Sequence, residues 1–190
     1  MVISLAKGVI HKQKMCQLQC FTPQLLRTRS QLSAEPVQWL IPLREQSTMN
    51  AIFHLAFPVH DFNQAKRFYQ QQLGFELGRE SAHALIFKFG NHQIVGHKVD
   101  DPLPLQAGIY PRHFGLIFLE RREFDHFIGR LNQQAVAYEI PPKIRFPGTT
   151  IEHHSFFLRD PSNNLLEFKH YTYPSAIFAE KDVHQVGESP

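Results

Sequence analysis

The sequence predicts an α+β fold built from two βαβββ modules, about residues 49–99 and 112–173, which form a curved mixed sheet around a cleft. Three observations predict it. Short apolar runs separated by turn residues begin at Met49 and continue to Tyr171. Each half holds one stretch of helical period, placed after its first strand-like run. His54 and His113 stand near the start of equivalent strands, 59 residues apart (113 − 54).

The elements follow in order. Ala51–Val59 reads as a buried strand, short and Phe-rich, stopped by Pro58 and His60-Asp61. Asp61 is suited to cap a helix, with Gln64 as its capping-box partner. Phe62, Ala65, Phe68, Tyr69 and Leu73 fall at helical spacing, and Gly74 ends the helix. Phe75–Leu77, Ala84–Phe89 and Gln93–Val99 read as strands, with turns at Gly78 and at Gly90-Asn91. Asp100–Pro111 is a Pro- and Gly-rich connection. His113–Leu119 then repeats the first strand, and Glu123–Leu131 the helix. Val136–Ile140 reads as a strand, followed by a loop through Pro141, Pro142, Pro147 and Gly148. His154–Arg159 and Leu165–Tyr171 form a hairpin whose turn places Pro161 at its second position and Asn163 in the left-handed region. Residues 174–190 read as a polar C-terminal tail.

Length and composition narrow the function classes. A chain of 190 residues makes one domain or two small ones. With 43% hydrophobic residues and 17 Phe it can bury a core, which excludes full disorder. No apolar run approaches the roughly 18 residues of a membrane-spanning helix. The net charge of +3 is unevenly placed. Residues 1–48 hold 6 Lys/Arg against 2 Asp/Glu, and residues 49–190 hold 14 against 15. A near-neutral body argues against nucleic acid as a partner. The basic front segment, with no acid before Glu35, reads as an extension expected to be poorly ordered: a start assigned ahead of Met49, an organelle transit peptide, or a structural arm. Both cysteines, Cys16 and Cys20, lie in it, so the body needs no disulfide, which suits a cytoplasmic location, or organelle import if the front segment is a transit peptide. Of 12 His, 11 lie after residue 48, which points to imidazole chemistry.

Three ionisable residues interrupt otherwise apolar strands: His54, His113 and Glu167. A buried, unpaired carboxylate costs several kcal/mol, of order 3–5, so Glu167 needs a cation, either a side chain or a metal. Two neutral imidazoles and one carboxylate can hold a divalent ion and leave positions open, the donor set of non-haem Fe(II) oxygen chemistry. His153, His154 and Tyr171, near Glu167, are candidates for proton transfer. His153 and His154 point to opposite faces, so at most one of them meets the cleft. Lys169 shares a strand face with Glu167. Phe57, Phe114 and Phe156 are candidates for an aromatic pocket lining, and Arg145-Phe146-Pro147-Gly148 for a lid.

Phe53-His54-Leu55-Ala56-Phe57-Pro58-Val59, Arg112-His113-Phe114-Gly115-Leu116 and the run Phe156–Lys169, with Asp160-Pro161-Ser162-Asn163-Asn164 and Glu167-Phe168, resemble the vicinal oxygen chelate superfamily of glyoxalase I, bleomycin-resistance proteins and extradiol dioxygenases. The likeness is greatest to small bacterial proteins predicted to be extradiol-type dioxygenases, and it covers about residues 49–173. It implies that His54, His113 and Glu167 occupy metal-ligand positions, with Fe(II) first and Mn(II), Zn(II) or Ni(II) also suited. Asn163 stands where the family has Gly, and its tolerance of the left-handed region keeps the turn. Glyoxalase I-like members add a ligand on the last strand of the first half. Pairing Gly90 with Asn163 puts Ile94 there, a non-ligand, while a slip of one residue brings in Gln93 or Val95, and His97 shares the face of Gln93.

Three functions compete. The first is an Fe(II) extradiol-type dioxygenase acting on a catechol-like aromatic and O2. The second is a glyoxalase I-like isomerase or lyase using Zn(II) or Ni(II). The third is a metal-free protein that sequesters a small molecule. The resemblance also admits a homodimer.

Overall fold

A computed structural model describes residues 49–187. The readings of residues 1–48, with Cys16 and Cys20, lie outside the described residues. The order is β1 (His54–Val59), α1 (Phe62–Ala65) continued by a π-helical segment (Lys66–Gln72), β2 (Glu76–Glu80), β3 (Ala84–Phe89) and β4 (His92–Lys98). The second half is β5 (Phe114–Ile117), α2 (Arg121–Gln133), β6 (Ile140–Arg145), β7 (His153–Arg159) and β8 (Leu165–Tyr171), followed by a 3-10 turn, Pro174–Ile177. Each half makes a mixed four-stranded sheet, ordered β1-β4-β3-β2 and β5-β8-β7-β6. The first strand of each half pairs in parallel with the last, and the other pairs are antiparallel. The duplicated βαβββ pattern is therefore the architecture of the described residues.

Local chemistry explains the element boundaries. Asp61 caps α1, its Oδ1 accepting from the backbone N–H of Asn63 and Gln64 at 2.8 and 3.0 Å. The Gln64 side-chain amide donates to Asp61 Oδ2 at 3.3 Å rather than to the backbone, so the box is closed differently from expectation. Gly74 ends the helical segment at φ +82°. Asn163 stands at φ +66°, as the turn requires. Gly115 is needed for a different reason. A Cβ there would lie 1.5 Å from the carbonyl oxygen of Glu167, so only glycine lets β5 approach β8 at this point.

Two expected elements are displaced. Gly78 lies inside β2 rather than at a turn. The strand expected at Val136–Ile140 lies instead at Ile140–Arg145 and contains Pro141 and Pro142. It is an edge strand with a register shift between Ile140 and Lys143, the place where a residue without an N–H does least harm. Val136 instead closes the end of α2, its N–H donating to the Leu131 carbonyl. The second helix also starts two residues early, at Arg121, with Arg121 bonded to Asp125 one turn on.

One aromatic core joins the two halves. Phe57 meets Phe114 at 5.4 Å and Phe89 meets Phe168 at 6.3 Å, ring centroid to centroid. Phe127 packs on Phe168 at 4.8 Å. Phe156, expected near a substrate, is fully buried in this core, and Phe57 is buried there too. A polar tie crosses the same junction. Tyr69 Oη donates to Asp160 Oδ2 at 2.8 Å, and Asp160 also accepts from Ser162 N, Asn164 N and the Asn164 amide. Burial pushes the Asp160 carboxyl up despite these bonds, and it pushes the Tyr69 hydroxyl far up.

Candidate metal centre

Strand register decides which side chains meet. On β5 and β8 the partners are Phe114 with Leu166, Gly115 with Glu167 and Leu116 with Phe168. Phe114, Leu166, Leu116 and Phe168 belong to the core. The alternate set therefore faces the other way: Gly115 on β5, with His113 just before the strand, and Glu167, Lys169 and Tyr171 on β8. β7 adds His153, Ser155 and Phe157 through the pairs His153 with Tyr171, Ser155 with Lys169 and Phe157 with Glu167. Arg145 follows, as the partner of His153 on β6.

His113 and Glu167 meet on this face. His113 Nε2 lies 3.3 Å from Glu167 Oε2. His113 Nδ1 lies 2.9 Å from the Ile109 carbonyl, which can only accept, so Nδ1 carries a proton and Nε2 is turned to the carboxylate. Glu167 is 7% exposed. Burial pushes its carboxyl up, but the His113 hydrogen bond and the Lys169 ammonium, 2.7 Å from Oε2, outweigh burial and hold it below its ordinary value. The hydrogen bond to Glu167 raises His113 in turn, against burial.

His54 does not join them. It is exposed on β1, with Nδ1 2.8 Å from Gln93 Oε1. Among the described residues no three of His, Cys, Asp and Glu come together as a metal-holding group. The His113–Glu167 pair still fits a divalent ion as two adjacent ligands. Its donor atoms are 3.3 Å apart, near the separation of two ligands bonded at about 2.1 Å to one ion, and the Ile109 carbonyl orients the imidazole. His54 is held likewise through its Nδ1, by Gln93 Oε1.

The position matching Glu167 in the first half is Val95. Ala56 pairs with Val95 as Gly115 pairs with Glu167, and Ala56 lies 59 residues before Gly115. Ile94, expected there, pairs with Leu55 and is 0% exposed in the core. The expected register was one residue off, which turns the side chain to the other face. Its consequence stands, since valine also cannot bind a metal. Gln93 is engaged by His54, and His97 is exposed.

A cavity of about 400 Å3 opens on this face. Tyr110, Phe146 and Tyr171 supply its aromatic walls, and His113, His153, Glu167 and Lys169 its polar floor. Of the three candidates for proton transfer, the structure brings His153 and Tyr171 here, ring centroids 4.8 Å apart. His153 Nδ1 bonds to the Ile151 carbonyl at 2.9 Å, so Nε2 is its free acceptor, and burial holds its pKa below the ordinary value. His154 turns to the opposite face. Its Nε2 accepts from Arg121 Nη1 at 2.9 Å beside α2, and burial with the Arg121 charge lowers it. Phe57 and Phe114 line a second cavity, of about 380 Å3, at the junction of the halves.

Two parts of the wall were missed. Arg145, expected in a lid, is 4% exposed at the end of β6, donating from Nε to Ser155 Oγ at 2.6 Å. Misplacing β6 hid it. The segment from Ala176 to Gly187, expected as a polar tail, forms a whole side of the cavity. Its apolar Ala176-Ile177-Phe178-Ala179 was the signal.

Comparison with known proteins agrees with this fold. Residues 51–168 match the family model of the Glyoxalase/Bleomycin resistance protein/Dioxygenase superfamily. A virulence protein of Salmonella typhimurium, STM3117, is 29% identical over 129 residues, 66% of this chain and 88% of its own. The crystal structure of a glyoxalase/bleomycin resistance protein/dioxygenase from Alicyclobacillus acidocaldarius is 37% identical, with a TM-score of 0.64, and covers 68% of this chain and 97% of its own. The fosfomycin resistance protein FosX of Listeria monocytogenes, 19% identical with a TM-score of 0.51 over 68% of this chain and 99% of its own, shares the fold. With 118 of its 190 residues matched (51 to 168), the chain belongs to the Glyoxalase/Bleomycin resistance protein/Dioxygenase superfamily.

Proposed function

We propose that this chain is a divalent-metal enzyme of the vicinal oxygen chelate class, and specifically an Fe(II) extradiol-type dioxygenase acting on a catechol-like aromatic. The observation that carries the reading is the buried Glu167 carboxylate facing the oriented Nε2 of His113 in an aromatic-walled cavity. His113 and Glu167 would hold the ion. The third ligand would be His54 of a second copy, since His54 is exposed on the equivalent strand and its Nδ1 is held by Gln93. Bound there, Fe(II) supplies a chelation site for two vicinal oxygens and electron transfer to dioxygen. The chain's own residues do the rest. Tyr110, Phe146 and Tyr171 hold an aromatic ring and exclude water. His153, neutral and with Nε2 free, accepts a substrate proton. Valine at position 95 favours a site of three protein ligands, and so the dioxygenase over the glyoxalase I-like alternative.

The test is oxygen uptake by the Fe(II)-loaded full chain with a panel of catechols. Uptake that is abolished in His113→Ala supports the reading, and activity untouched by that change would falsify it. Turnover without oxygen on Zn(II) or Ni(II) would favour the isomerase or lyase. One observation favours the metal-free binder: Lys169 already neutralises Glu167. For that reading Glu167→Gln weakens ligand binding while metal content stays at zero in both proteins.

A further inference from the structure

We propose that Lys169 is a displaceable counter-ion of Glu167, so that the ammonium and a divalent ion exclude one another at the same carboxylate oxygen. The inference rests on the reading that His113 and Glu167 hold the ion. Oε2 of Glu167 is the shared atom, with Lys169 Nζ at 2.7 Å and His113 Nε2 at 3.3 Å. An ion bonded to Oε2 at about 2.1 Å would stand within a few ångströms of the ammonium, three positive charges crowded on one side chain in a partly dry cavity. The ammonium must therefore leave when the ion enters. It has room to do so. Its side chain is 22% exposed, and Nζ already stands 6.0 Å from the centre of the Tyr171 ring on the cavity wall. Ser155, its cross-strand partner, is bonded through Oγ to Arg145 Nε at 2.6 Å.

Lys169 thus lets the buried carboxylate survive without metal, at the cost of weaker metal binding. Once released, it faces the space a substrate's negatively charged oxygens would occupy, where such an anion gives the ammonium a new partner and strengthens retention of the ion. By linkage the ion strengthens binding of the anion equally.

The experiment is Co(II) titration of the full chain, followed by calorimetry and by the visible spectrum of the bound ion, in the parent, Lys169→Met, Lys169→Gln and Lys169→Arg. Gln keeps a donor to Glu167 without its charge, and so guards against a Met variant that folds poorly. Breaking a charge-assisted bond predicts Co(II) binding tighter by about 10- to 100-fold in the Met and Gln variants, and near the parent in the Arg variant. Adding 4-nitrocatechol as the probe anion is expected to tighten Co(II) more in the parent than in Lys169→Met. Equal or weaker binding by the Met and Gln variants, with the parent binding Co(II), overturns this inference and leaves the metal reading standing. No binding by parent or variants overturns the metal reading and this inference together.

Discussion

The two halves carry the same scaffold and different chemistry. Each begins with a histidine whose Nδ1 is held by an acceptor, Gln93 Oε1 for His54 and the Ile109 carbonyl for His113. Each pairs its first strand with its last, and Ala56–Val95 corresponds to Gly115–Glu167. The second half has placed a carboxylate, two cations and His153 on its free face, where the first half has Val95 and Gln93. Duplication therefore preserves what folds, namely the pairing, the helix and the aromatic core. The carboxylate and the cations stand in one half, and the other half presents exposed imidazoles, His54 among them.

The comparison is broken most easily at the carboxylate. Glu167→Ala is expected to lower Co(II) or Mn(II) affinity by more than about 100-fold, beyond what loss of a supporting group costs, while Val95→Ala leaves it within about twofold. Calorimetric titration of both variants checks this, and equal losses would show that the halves do not differ as described.

The hairpin turns give the next largest contrast. Asp160→Ala removes the acceptor of Tyr69 Oη across the junction and of three donors within its own turn, of which the Asn164 amide keeps the Pro58 carbonyl, and is expected to cost about 3–5 kcal/mol. Asn91→Ala, in the corresponding exposed turn of the first half, is expected to cost less than about 0.5 kcal/mol. Urea unfolding measures both. At the strand pair itself, Gly115→Ala drives a Cβ into the Glu167 carbonyl and is expected to cost about 2–3 kcal/mol and to weaken ion binding. Ala56→Gly, at the equivalent site, is expected to cost about 0.5–1 kcal/mol with ion binding unchanged.

The smallest effect is a pH dependence. Arg159 donates to Glu139 from Nε at 2.9 Å and holds its carboxyl below its ordinary value, against some burial. A depressed carboxyl pKa stabilises the fold above the unfolded value near 4.5, and the contribution is lost as pH falls through the folded value. The Glu139 side chain is 35% exposed, so screening leaves only about a few tenths of a kcal/mol. Thermal unfolding between pH 6 and pH 3 should fall slightly less steeply in Arg159→Met than in the parent, and an identical slope would remove the pair from the balance.

Most of the fold was legible because its signals are local. Asp61, Gly74 and Asn163 mark their boundaries by backbone chemistry that no tertiary contact overrides. The pairing of His113 with Glu167 and Lys169 was legible because charged groups inside apolar strands stand out. What failed depends on neighbours. Pro141 and Pro142 are tolerated only because β6 lies at an edge, which sheet order decides. Ile94 and Val95 differ by one position in an apolar run, so only the pairing with β1 shows which of them faces away from the core. Arg145 and the segment from Ala176 to Gly187 reach the cavity by tertiary packing alone.

The most direct measurement is anomalous diffraction from crystals of the Co(II)-loaded full chain. The result expected is one ion per chain bonded to His113 Nε2 and Glu167 Oε2, with Lys169 Nζ moved off that oxygen. An ion bound instead at His54 and Gln93 with none at Glu167, or crystals that take up no ion while Lys169 stays on Glu167, would contradict the assignment of the chemistry to the second half.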